Sequence, residues 1–312
     1  MTTSDSVSDY HSAEEPGSPS SPLGRPFASF QSDRSIFSRL DSLPAEKGDV
    51  SVELVEQFLH EVEIRFPGTL RTLCTTGEIK REDELHLYAR RVLRADKLNV
   101  YKAVDRAVAH ATWREGVLPN GVMAYELSGG VKRHAEEKKV FLVLQSRASR
   151  PCLIVRVNRH TAGLEREQLR AFIVYCMELS VYLCDLNPDQ NKIDVVFDAR
   201  DMKWRNYDVA GLKAVFEILE RRYFERIGTI FMFKGPKLLD MLWSIVSPFV
   251  DEHTRTKIQF VNNTAQTERM MDVLGRDVMP DDFLGTPIQE QVKDIARAGE
   301  IGRGRTCDDR RD

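Results

Sequence analysis

The run Ile230-Phe231-Met232-Phe233 is apolar at every position. A strand with apolar side chains on both faces must be covered on both. This segment therefore predicts the centre of a layered sheet rather than a half-solvated edge. Two further runs, Val140-Phe141-Leu142-Val143-Leu144 and Cys152-Leu153-Ile154-Val155, read the same way, and the loop between them ends at Pro151. Ile193 to Phe197 predicts another strand, and the more polar Lys257 to Val261 an edge strand. Helical periods fall between these runs. Phe172, Tyr175, Cys176, Leu179, Tyr182, Leu183 and Leu186 share one stripe, ended by Asn187-Pro188-Asp189. Val209, Leu212, Phe216, Leu219 and Tyr223 share a second, with Asp208 as cap and Gly228 as stop. Lys237 to Ser247 forms a third helix, and Thr264 opens a last short one. The alternation predicts an α/β fold: a mostly parallel sheet of about five strands with right-handed crossovers.

Ahead of the sheet lie three amphipathic stripes. They are Val52, Val55, Leu59 and Val62; Leu85, Tyr88, Ala89 and Val92; and Val100, Ala103, Val104, Ala107 and Ala111, the last capped by Asn99. They predict a small all-α subdomain. Residues 1–49 are rich in Ser, Pro, Gly and Asp and lack a sustained period, so disorder is expected. Ser18-Pro19 and Ser21-Pro22 are candidate phosphorylation sites in what otherwise reads as linker. After Gly285 the chain turns charged and Gly/Arg-rich, as a loose tail would. The expected organisation is a tail over 1–49, a helical module over 50–120, the main domain over 121–286 and a second tail over 287–312.

Composition narrows the function. A net charge of −3 argues against nucleic-acid binding by phosphate neutralisation. No run of about 18 apolar residues is present to span a bilayer. Met1 to Pro26 lacks a basic start followed by an apolar core, so a cytoplasmic location is expected, with transient contact at membranes. Cys74, Cys152, Cys176, Cys184 and Cys307 are scattered and odd in number, as reduced thiols are. There is no phosphate-binding loop, and Gly302-Arg303-Gly304 sits in the tail. Asp198 and Asp201 follow a strand at a spacing that many loops share, without the opposed environments of an acid–base pair. The seven histidines show no metal-ligand spacing, and His86 and His110 read as packing or surface residues. A catalyst, a metal and a cofactor are therefore not expected.

The stretch 85–285 resembles the CRAL-TRIO lipid-binding domain with its preceding helical module, in a divergent form nearest the Sec-fourteen-like phosphatidylinositol transfer proteins. The resemblance rests on Tyr223-Phe224-Glu225-Arg226-Ile227-Gly228, Gly235-Pro236, Leu242-Trp243, Ser247-Pro248-Phe249-Val250, Thr256-Lys257-Ile258 and Met279-Pro280-Asp281-Asp282-Phe283. Arg94-Ala95-Asp96-Lys97-Leu98 and Thr112-Trp113-Arg114 extend it into the helical module. It implies a single bound lipid, a phospholipid such as phosphatidylinositol or another hydrophobic ligand, transferred or presented at membranes.

Burying acyl chains is worth ~0.8 kcal/mol per methylene, so such a carrier needs a large apolar cavity. Ile193, Val195 and Phe197 alternate with Asp194 and Val196, and Ile230 and Met232 alternate with Phe231 and Phe233; one set must face that cavity, and the alternation leaves open which. The helix Lys237–Ser247 is the expected gate. Leu238, Met241, Leu242 and Ile245 form one stripe, Leu239, Trp243 and Val246 lie towards another side, and Phe249 follows. A helix apolar nearly all round fits contact with acyl chains on one side and membrane on the other, with Trp243 interfacial, or an ordinary buried helix. By position, the resemblance assigns the head group to Lys97, Glu225 and Lys257, the lysines contacting phosphate and Glu225 orienting a lysine or inositol hydroxyls.

Asp96 stands where the family has arginine, which weakens the expected phosphate contact. Ile193 and Val195 replace the hydroxyl residues of phosphatidylcholine binders. Leu284 replaces a glycine, and Gly235 sits where asparagine is common. These departures leave a rival: a scaffold that recruits a protein partner, in part through its N-terminal tail, without exchanging lipid.

Overall fold

The computed structural model describes residues 50–80, 82–119, 129–143, 150–163, 165–185, 191–275 and 286–287. The N-terminal tail, the serine-proline pairs, Asn187-Pro188-Asp189, Met279–Phe283, Leu284 and the C-terminal tail beyond Pro287 lie outside them. Four helices come first: α1 Val52–Arg65, α2 Thr69–Thr75, α3 Glu82–Ala95 and α4 Val100–Val117. Ser51 caps α1 and Asn99 caps α4, each side chain accepting from a first-turn amide. All residues of the second and third sequence stripes are buried, with Val55, Phe58 and Val62 of α1. They form the module's own core, which Phe224 enters from outside. The two-turn helix α2 has no stripe long enough to show in the sequence, and Gly68, at φ +92°, turns the chain into it.

Helix α5 (Gly129–Glu136) precedes β1 (Val140–Val143) and β2 (Cys152–Arg156). There follow α6 (Arg166–Asp185), β3 (Ile193–Asp198), α7 (Val209–Arg222), β4 (Ile227–Phe233), α8 (Lys237–Val246), α9 (Glu252–Thr256), β5 (Ile258–Val261), α10 (Thr264–Leu274) and the two-residue β6 (Thr286–Pro287). Strand order is β5-β4-β3-β2-β1-β6. β2 through β5 pair in parallel, and β1 pairs antiparallel with both its neighbours. The structure adds β6 and three short helices, α2, α5 and α9, to what the sequence patterns predict.

Register resolves the question of which face is which. Val140, Val155, Phe197, Met232 and Phe260 form one row across the sheet, and Leu142, Leu153, Val195, Ile230 and Ile258 the next. Both rows pack under α5, α6, α7 and α8. Phe141, Ile154, Val196 and Phe231 form the opposite face, which α10 covers with Met270 and Leu274. β4 is thus buried on both sides, as its composition requires. Gly228 does not stop a helix: α7 ends at Arg222, and Gly228 lies inside β4. Its missing Cβ is what lets Asp194 and Arg150 approach; a side chain there would strike both.

A buried ionic junction ties the helical module to the sheet layer. Arg114, fully buried on α4, donates to both oxygens of Glu178 on α6 and to Glu78. Glu78 also meets Arg91 at 2.9 Å and Arg226 at 3.7 Å, and Tyr223 donates to Glu178 at 2.9 Å. Burial alone would raise the Glu78 carboxyl, but Arg114 and its other cationic neighbours pull it down to about 2.

Candidate lipid-binding site

Between the sheet's front face and the covering helices lies an apolar cavity of about 140 Å3. Val195, Phe197 and Met232 rise into it from the sheet, and Phe172, Cys176 and Met177 descend from α6. Leu212, Val215 and Leu219 close it from α7, and Leu239 and Leu242 from α8. Four polar residues border it, and their polar ends are engaged elsewhere. Lys139 reaches Glu137 at 2.9 Å and His134 at 2.6 Å. His160 meets Asp208 at 2.9 Å, and Asn206 donates to the carbonyl of Asn158 at 3.2 Å. Burial draws the Lys139 pKa down, and the hydrogen bond from His160 draws Asp208 down. The wall that remains is hydrocarbon.

Of the residues expected to line this space, Val195, Phe197, Met232 and Leu242 do so. Ile193 and Ile230 share their face but are packed into the surrounding core. The expected gate stripe is divided. Leu239, Leu242 and Val246 of α8 point inward, Leu238 is half-buried, and Met241, Ile245 and Phe249 are exposed. Trp243 is half-buried against Phe216 (5.8 Å between ring centroids) and Phe260 (6.1 Å). The buried side of α8 takes Leu242 from one expected stripe and Leu239 and Val246 from the other.

The approach to α8 is tight. Lys234 has a left-handed φ of 46°, and Gly235 follows. A Cβ on Gly235 would collide with the side chain of Leu239. The glycine therefore lets the first turn of α8 lie close to the end of β4, with Leu239 in the cavity wall.

Beside the cavity opens a cleft of about 1020 Å3. It brings together Lys97, Glu225 and Lys257, which the sequence separates by up to 160 positions. Glu225 lies 3.9 Å from the Lys257 ammonium and 3.1 Å from His253. Lys97 and Glu225 both adopt left-handed φ values, 52° and 56°, uncommon for side chains other than glycine and asparagine. Such strain persists only where surrounding structure enforces it, and it gathers at functional sites. Arg94, Arg106 and Lys192 add positive charge to the lining. Glu220 and Asp251 add carboxyls at the other end, where the Asp251 amide donates to Glu220 at 3.0 Å. Burial pushes the Glu220 carboxyl up to about 7 against that bond. Sequence reasoning missed Arg106, Glu220 and Asp251, which carry no local motif.

One side chain belongs to both spaces. Leu219 lines the apolar cavity and the charged cleft. Among the described residues no group of three or more His, Cys, Asp or Glu is placed to hold a metal ion, and no helix is long and apolar enough to cross a membrane. Cys152, Cys176 and Cys184 are buried free thiols, and Cys74 is a half-buried one.

Residues 135–285 match the family model of the CRAL/TRIO domain. The chain carries a CRAL/TRIO domain. The match takes in strands β1 to β5, the cavity and α8, and leaves the helical module outside. A CRAL-TRIO domain-containing protein of Schizosaccharomyces pombe is 27% identical over 221 residues, covering 69% of this chain and 48% of its own length. Protein real-time of Drosophila melanogaster is 26% identical over 133 residues, 37% of this chain and 20% of its own. The chain thus spans about half the length, or less, of these curated relatives. The crystal structure of Sfh5 superposes with a TM-score of 0.55 at 14% identity, covering 81% of this chain and 99% of that one. At that identity the likeness is one of fold, and it extends over the helical module as well as the CRAL/TRIO domain.

Proposed function

We propose that the chain binds one lipid, a phospholipid such as phosphatidylinositol, and transfers or presents it at membranes without covalent chemistry. The observation that carries this reading is the shared residue Leu219, which sets a hydrocarbon-walled cavity against a cleft rich in cations. A phospholipid has that division: chains that gain by leaving water and a head group that needs hydrogen bonds and countercharge. Lys97 and Lys257 are the proposed phosphate contacts, and Glu225 holds Lys257 and meets inositol hydroxyls. Helix α8 is the proposed gate, with Leu239 and Leu242 toward the guest and Met241, Ile245 and Phe249 toward the bilayer. No cofactor enters this scheme.

A cavity of about 140 Å3 is near the size that admits a benzene ring, well short of the ~300–1,000 Å3 usual for ligand pockets. Lipid entry therefore requires α8 to move outward. The same small volume favours the second reading, a scaffold that recruits a protein partner and holds no lipid. Native mass spectrometry of the purified protein separates the two. Copurified lipid, with transfer between donor and acceptor vesicles, supports the carrier. An empty protein inactive in transfer supports the scaffold.

A further inference from the structure

Asp96, the residue that breaks the expected phosphate-binding pattern, does not line the cleft, whereas its neighbours Ala95, Lys97 and Leu98 do. The backbone explains why. Lys97 and Leu98 take left-handed φ values of 52° and 63°, so the chain reverses directly after Asp96 and the flanking residues face the opening. The Asp96 carboxylate meets Arg106 of α4 instead, accepting from Nε at 2.6 Å and from Nη2 at 2.9 Å. Arg106 does line the cleft.

Guanidinium carries five N–H groups in one plane, and this fork uses two of them. The remaining three are two on Nη1 and one on Nη2. The same fork fixes the plane of the guanidinium, and Phe224, another lining residue, lies 5.7 Å from its Cζ. Asp96 is 10% exposed and Arg106 30%, so the cation is the more open member of the pair. A planar, oriented guanidinium matches the oxygens of a phosphate ester better than a point charge does.

Resting on the carrier reading above, we propose that Arg106, positioned by Asp96, is the guanidinium that takes the phosphate of the ligand's head group. The acidic residue then does not repel phosphate; it aims a cation supplied by the next helix. Lys97 flanks the same wall, and Lys257 faces the ligand from the sheet side. The ligand class is a phosphate monoester or diester, whether on a membrane lipid or on a soluble ester.

The test compares the full chain with R106Q and R106K for lipid pick-up from phosphatidylcholine vesicles doped with phosphatidylinositol or with diacylglycerol. R106Q is expected to lose phosphatidylinositol about tenfold, as removal of a charge-assisted bond implies, and to keep diacylglycerol. R106K retains the charge but cannot form the fork, and is expected to fall between. Calorimetry with glycerophosphoinositol, which has no acyl chains, identifies the source. Binding sensitive to R106Q assigns the site to soluble esters as well, and sensitivity confined to vesicles assigns it to the lipid head. Equal pick-up of phosphatidylinositol by parent and both variants, or parallel loss of both lipids, overturns the assignment of Arg106. A parent protein that takes up neither lipid instead overturns the carrier reading.

Discussion

The guanidinium of Arg114 grips both carboxylate oxygens of Glu178, at 2.8 and 3.0 Å, and through this pair α4 of the helical module is fastened to α6 above the cavity. Arg114 also holds Glu78 at 3.1 Å. Removing one partner from a buried network leaves uncompensated charge, which costs about 3–5 kcal/mol. Arg114→Ala is therefore expected to lower stability by that amount in chemical denaturation. Because the pKa of Glu78 is depressed to about 2, its contribution is present above the ordinary glutamate range and is lost as pH falls through the folded value. The parent should lose stability steeply between about pH 4.5 and 2, and Glu78→Gln should flatten that limb.

Glu220 has the opposite sign. Its folded pKa is raised to about 7, so the proton is held more tightly in the folded state. The associated stability is complete below the ordinary glutamate pKa and declines as pH rises towards and through 7. After allowance for solvent screening the effect is about 1 kcal/mol. The chemical-denaturation midpoint should fall between pH 5 and 8 in the parent, and less so in Glu220→Gln.

The outer side of α8 offers Met241 and Ile245 to solvent, and Phe249 just beyond it is exposed too. Replacing Met241 and Ile245 with aspartate removes exposed apolar surface and buries no charge, so stability should shift by less than about 0.5 kcal/mol per site. Vesicle cosedimentation should fall severalfold. Trp243→Ala behaves differently, because Trp243 packs on Phe216 and Phe260: its main effect is a loss of stability of about 2–3 kcal/mol, read by thermal unfolding.

Val195→Phe places a ring where the cavity now stands open. Added volume in a void avoids most of the strain of overpacking, so the unfolding midpoint should stay close to that of the parent. Lipid recovered in native mass spectrometry should drop sharply.

Gly235→Ala sets a methyl against Leu239 and forces the first turn of α8 away from β4. The variant should lose about 1–3 kcal/mol, and its lipid exchange rate should change along with its stability.

Much of this was legible from the chain itself. Strands buried on both faces declared themselves through Phe231 and Met232, and helix starts through Asn99 and Asp208. The family words placed Lys97, Glu225 and Lys257, which the fold gathers along one cleft. Other features were hidden for physical reasons. Helices of two turns or fewer, such as Thr69–Thr75, are too short to show a period. Trp243 sits on a helix apolar nearly all round, where composition does not reveal the inward side. Gly228 reads as a helix stop in one dimension, but its role is to make room for an ion pair between residues far away in sequence. Asp96 looks adverse until its partner ten positions on is known.

Leu219 stands as a party wall: its side chain bounds the apolar cavity on one side and the charged cleft on the other. A guest lodged on the greasy side must press on the same isobutyl group that bounds the ionic side. Under the proposed carrier reading, a wall touched by the acyl chains is thus also a wall of the surface where the head group would dock.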